Sequence, residues 1–128
     1  MLTTTATAAP AKASAAHNGA CGSGYSVVNS VAVGTKGTVY LTYSGATGKN
    51  CVVTVRNGTG TAVPMSAWIQ LAEDHETTPV VDSGEYTTYA GPVYLAAKGQ
   101  CVNWGGYIQN QDVEVDKTNC GKLAATGG

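Results

Sequence analysis

From Tyr25 onward the chain repeats one arrangement: a short run in which apolar and polar side chains alternate, closed by glycine, asparagine or proline. In Thr38-Val39-Tyr40-Leu41-Thr42-Tyr43-Ser44, Val39, Leu41 and Tyr43 alternate with Thr38, Tyr40 and Thr42. Period two puts each set on its own face of an extended strand, a conformation that β-branched and aromatic side chains favour. No stretch long enough for a helix carries apolar residues at helical spacing. Tyr25 to Val33 reads as a strand or a bent pair of strands, and Gly34 to Gly37 as a turn. Cys51, Val53 and Val55 alternate with Val52, Thr54 and Arg56 before an Asn57-Gly58 turn. Met65, Ala67, Ile69 and Leu71 share a face with Trp68 opposite, and Pro64 places the start of that strand at a sheet edge.

Residues 72–79 form a polar loop. In the run from Asp82 to Gly106, Gly91-Pro92 is expected to turn the chain, Val93, Leu95 and Ala97 to face inward, and Tyr94 outward. Cys101 to Trp104 is a short strand before Gly105-Gly106, and Tyr107 to Gln109 and Asp112 to Asp116 complete the sheets. About eight strands with a turn every 8 to 12 residues define an all-β chain folded as a single antiparallel β-sandwich, immunoglobulin-like or jelly-roll-like. Asp82-Ser83-Gly84-Glu85-Tyr86 has the form of a tyrosine corner, whose hydroxyl caps nearby backbone, but Thr88 stands where an immunoglobulin domain would have a cysteine.

The 128 residues allow one domain. Residues 1–20, rich in Ala and Thr with Ala6-Thr7-Ala8 and Ala11-Lys12-Ala13 as candidate cleavage sites, are read as a flexible tail left from an export signal. Residues 21–122 are the sandwich and 123–128 a loose end. The even set of Cys21, Cys51, Cys101 and Cys120 fits an oxidising, extracellular destination. Four cysteines allow three pairings, of which the sequential one is carried forward: Cys21 with Cys51, Cys101 with Cys120. Each closure is worth roughly 3 kcal/mol on a loop-entropy estimate.

Charged residues make up 12% of the chain and sum to −1, with no Lys/Arg cluster, so neither nucleic acid nor an anionic membrane is an expected partner. No apolar run is long enough for a membrane-spanning helix. No metal or other cofactor is expected, because the cysteines stand singly without the C-x-x-C spacing of a zinc site. Catalytic residues are not expected either. His17 lies in the tail and His75 in the acidic loop Glu73-Asp74-His75-Glu76, without a G-x-S-x-G elbow. Asp112, Glu114 and Asp116 share a strand face, read as a charged edge against aggregation in preference to a weak calcium site. Tyr40, Tyr89, Tyr94, Trp104 and Tyr107, with Trp68 as the alternative indole, form the candidate binding surface for sugar rings or protein. With no Phe in the chain, half or more of these are expected to fill the core.

At Cys21-Gly22-Ser23-Gly24-Tyr25-Ser26-Val27-Val28, Asn50 to Asn57, Tyr86 to Tyr94 and Cys101 to Gly106, the chain resembles the spore-associated protein A family of small exported actinobacterial proteins. The resemblance spans residues 21–106 and implies a secreted protein found with spores or the cell envelope, with no catalytic residues to carry over. The expected function is a non-catalytic surface or binding protein with a protein or cell-envelope partner. The alternatives are an adaptor subunit of a larger secreted complex, such as a toxin assembly, docking through its N-terminal segment, and a hydrolase or protease inhibitor presenting Asn57 to Pro64 or Ala72 to Pro79.

Overall fold

The computed structural model describes residues 19–73 and 78–120. These form eight strands: β1 (Ser26–Val33), β2 (Gly37–Ser44), β3 (Lys49–Arg56), β4 (Val63–Leu71), β5 (Val80–Tyr86), β6 (Tyr89–Ala96), β7 (Val102–Ile108) and β8 (Gln111–Thr118). The first sheet has the order β1-β2-β3-β6 and the second β5-β4-β7-β8, all neighbours antiparallel. The chain crosses between sheets after β3, β5 and β6, so β6 returns to pair with β3 around the β4–β5 hairpin. Two disulfides brace the sandwich, Cys21–Cys51 and Cys101–Cys120, in the sequential pairing expected.

Alternation decides which side chains enter the core. Val33, Val39, Leu41, Val52 and Val93 of the first sheet meet Met65, Ala67, Ile69, Trp104 and Ile108 of the second. Burying a side chain of this size is worth about 1.5–3 kcal/mol, so this layer supplies the main driving force for folding. Thr54 also faces inward, and neither its hydroxyl nor the Asn50 amide oxygen has a hydrogen-bond partner among the described residues. β3 is buried on both faces, because Cys51, Val53 and Val55 on its outer side form a second cluster with Cys21 and Tyr40.

Four local expectations are corrected. Gly91-Pro92 does not turn the chain; it lies inside β6, and the turn falls at Thr87-Thr88. Gly91 is there because β6 passes close over β3: at φ +96°, a side chain would meet the Val52 carbonyl at 2.7 Å. Gly105-Gly106 does not end a strand, since β7 runs through both and its neighbours press on each from opposite sides. Pro64 does not mark a sheet edge, because β4 is central. Its carbonyl accepts the Gln109 N–H at 2.9 Å beyond the end of β7, so its own missing N–H faces a point where the ladder has stopped. Finally, the Tyr86 hydroxyl donates to the Asp82 carboxylate instead of capping backbone. The other Asp82 oxygen accepts the Gly91 N–H at 2.8 Å, which ties β5 to β6 across the side of the sandwich.

Candidate functional site

The residues singled out as a binding surface separate into three places. Tyr40 and Trp104 are not on the surface: they are 2% and 0% exposed. Trp104 points into the layer between the sheets and donates its indole N–H to the Thr118 hydroxyl at 2.8 Å. Tyr40 points outward from β2, but it packs in the cluster that Cys21 forms with Ala20 and Tyr25 beside it, and burial raises its phenol pKa. Alternation alone cannot distinguish an outward tyrosine in water from one under another segment. Tyr89 and Tyr94 remain exposed on the outer face of the first sheet, and Tyr107 lies on the outer face of the second.

On the first sheet, the register Tyr94↔Cys51↔Thr42↔Val27 sets these four residues in one row across the strands. The Cys21–Cys51 bond draws residues 20–25 over the middle of that row. Tyr94 secures the same segment: its hydroxyl donates to the Cys21 carbonyl at 2.8 Å, and its ring meets Tyr25 edge to face at a centroid distance of 5.6 Å. Burial first, and then the neighbouring Tyr25, raise the Tyr94 pKa. Tyr25 was not among the residues picked from the sequence. Its signal was present, because a cysteine bonded to the outer side of β3 carries the residues just after it across the same face.

The second sheet is different in character. In one row Val81, Trp68, Gly105 and Glu114 are cross-strand neighbours, and in the next Ser83, Ser66, Tyr107 and Asp112. A side chain at Gly105 would meet the Trp68 Nε1 at 3.0 Å, so the indole lies against the bare glycine backbone. Asp112, Glu114 and Asp116 stand exposed on the same face while Val113 and Val115 pack inward, as the alternation required. A hydrogen bond with Asp116, followed by burial and the charges of Asp116 and Asp112, holds the Glu114 carboxyl above its ordinary range.

Among the described residues, no three His, Cys, Asp or Glu side chains gather closely enough to hold a metal ion, and no helix is long and apolar enough to cross a membrane. His17, His75 and the tail segment of the adaptor reading, residues 1–18, lie outside the described residues. Residues 74–77 of the second candidate inhibitor loop do so as well.

Fold and surfaces together define a small disulfide-braced β-sandwich with aromatic side chains on both outer faces. The chain is 54% identical over 118 residues to spore-associated protein A of Streptomyces coelicolor, an alignment covering 92% of this chain and 75% of that protein. It therefore belongs to the spore-associated protein A family. No family model matches the chain, and no solved structure does. A spore-associated relative and two disulfides point to an extracellular or surface location.

Proposed function

We propose that this protein is a secreted, non-catalytic binding component of the spore or cell envelope, and that it meets its partner through the outer face of the first sheet. The observation that carries this reading is the strip formed by Tyr94, Tyr25 and Val27. Tyr94 and Val27 are 38% and 39% exposed, on a surface held in place by the Cys21–Cys51 bond. Val28, next to Val27 in β1, is 47% exposed, and Tyr89, at the other end of the sheet in register with Val55, is 43% exposed. Large apolar side chains left in water on a rigid face add little to folding, whereas adjoining ones form the kind of patch that a partner buries. The name of the Streptomyces coelicolor relative supports the spore as the setting.

The test is a sedimentation assay of the purified, oxidised protein with spores and with cell-wall fractions of Streptomyces coelicolor. The parent protein should cosediment, and Val27→Ser combined with Tyr89→Ser should reduce binding about tenfold or more while the melting temperature stays near that of the parent. A His75→Ala variant should bind as the parent does. Unaltered binding by the double variant would remove the first sheet from the reading, and turnover in a broad hydrolase screen would remove the non-catalytic role.

A further inference from the structure

We propose that the outer face of the second sheet, along β8, is a docking surface for an extended basic polypeptide segment. The first argument is charge. Of the four strands in this sheet only β8 contains a basic residue, Lys117, whereas Glu85, Asp112, Glu114 and Asp116 all project on the outer side. Of the other described basic residues, Lys49 and Arg56 belong to β3 and Lys98 to the loop after β6, while Lys36, in the β1–β2 turn, donates to the Gln109 carbonyl at 3.0 Å at the β7–β8 turn, the end of the sheet remote from Asp116. The molecule is thus close to neutral as a whole and acidic on one face. Along β8, Glu114 stands between Asp112 and Asp116 on one side of the strand, and their like charges, with burial, push its carboxyl pKa up. A cation relieves this crowding, and a second copy of β8 intensifies it, so the row that discourages self-association selects the opposite charge.

The second argument is shape. Gly105 raises no side chain between Trp68 and Glu114, so the indole lies low beside the acidic row, with Tyr107 in the next register position. A lysine or arginine laid over this surface can stack on the indole and still reach a carboxylate. The third argument is spacing. Alternate residues of β8 repeat at about 6.8 Å along the strand, the same repeat as alternate residues of any extended peptide. The pairing with β7 is regular from Gln111 to Val115 and slips at Asp116 and Lys117, so a segment with Lys or Arg at every second position, running along β8, meets Asp112 and Glu114 in succession and reaches Asp116 at the bulge. This surface is separate from the Tyr94 strip, so the two proposals fail independently.

The test uses the oxidised full chain and a capped synthetic peptide of about ten residues in which Lys and Thr alternate, a length that covers the eight residues of β8. Isothermal titration calorimetry measures affinity, and fluorescence of Trp68 against its buried counterpart Trp104 reports the location. Binding should weaken as salt is added. Glu114→Gln combined with Asp116→Asn should weaken it about tenfold, since two exposed ion pairs are lost. These substitutions relieve like-charge repulsion on an exposed edge, so the variant should fold as well as the parent, and its circular dichroism verifies this. Glu73→Gln, which also removes a carboxylate but in the loop after β4, should bind like the parent. Parent-like affinity in the β8 double variant would overturn the proposal. Equal losses for the β8 and Glu73 changes would reduce it to net charge, and tighter binding of an oligoglucosamine than of the peptide would assign the face to a cationic glycan instead.

Discussion

At Gly106 the first sheet presses closely on the second, and a single methyl group there tests the packing. A Cβ on Gly106 would run into the Thr54 hydroxyl, meet a Val39 methyl at 2.8 Å and the Ser66 carbonyl at 2.9 Å. Two of these neighbours belong to the opposite sheet and the third is backbone, so none moves freely. Overpacking of this kind costs about 1–3 kcal/mol, and Gly106→Ala should sit near the top of that range. Thr54→Ala vacates the space that the methyl needs. Alone it loses about one buried methyl group, worth ~0.8 kcal/mol, but it also removes a buried hydroxyl without a partner, whose burial costs about 1–3 kcal/mol. The two effects nearly offset, so the single change should alter stability by less than about 1 kcal/mol. In the double variant the Val39 and Ser66 contacts persist while the Thr54 clash is gone. Its destabilisation should fall about 1–2 kcal/mol below the sum of the singles. Denaturant unfolding under non-reducing conditions reads all four corners of this cycle, with about 4–8 °C in melting temperature per kcal/mol as a second measure. Thr54→Val, which keeps the bulk and removes the hydroxyl, should leave stability equal or raise it by up to about 1 kcal/mol. Strict additivity in the cycle, or a large loss for Thr54→Val, would show that Thr54 does not face Gly106 as an unpartnered hydroxyl.

The two disulfides close loops of sequence separation 30 and 19, which the loop-entropy relation values at about 3.7 and about 3.3 kcal/mol. Replacing either pair by alanine should lower the melting temperature by about 15–25 °C. Only loss of Cys21–Cys51 should also add binding of a hydrophobic dye, as Tyr40 and Val53 lose cover; equal dye binding by both variants would contradict this assignment. Tyr86 should titrate above the ordinary phenol value of about 10, because its proton is held first by the Asp82 carboxylate. Its folded pKa is the raised one, so its contribution to stability is present below about pH 10 and is lost as pH climbs through that raised value. A phenolate difference titration of the parent against Tyr86→Phe measures it, and Asp82→Asn should bring the value down; an ionisation at or below 10 would refute the pairing.

Local pattern was sufficient for much of this molecule. Alternation in Thr38 to Ser44, Met65 to Leu71 and Asp112 to Asp116 assigned strands and faces, because the geometry of an extended chain leaves a side chain only two sides to occupy. The even cysteine count left three pairings open, and the sequential one carried forward is the one the structure bears out. What alternation cannot contain is what lies over a face. Tyr40 and Tyr94 both point outward from the first sheet, yet one is buried and the other exposed, because residues 20–25 are drawn across Cys51 and stop short of covering the Tyr94 ring. The glycines carry the same lesson. Gly91, Gly105 and Gly106 read as breaks in the chain, and in the fold they lie within strands where Val52, Trp68, Thr54 and Val39 approach too closely for any side chain. The sequence by itself determined a disulfide-braced β-sandwich and the inward and outward sides of its strands, since these depend on residues near one another in the chain. Tertiary structure alone decided which outward aromatics reach water and that Trp68 lies beside the acidic row, because both depend on segments brought together from distant parts of the chain.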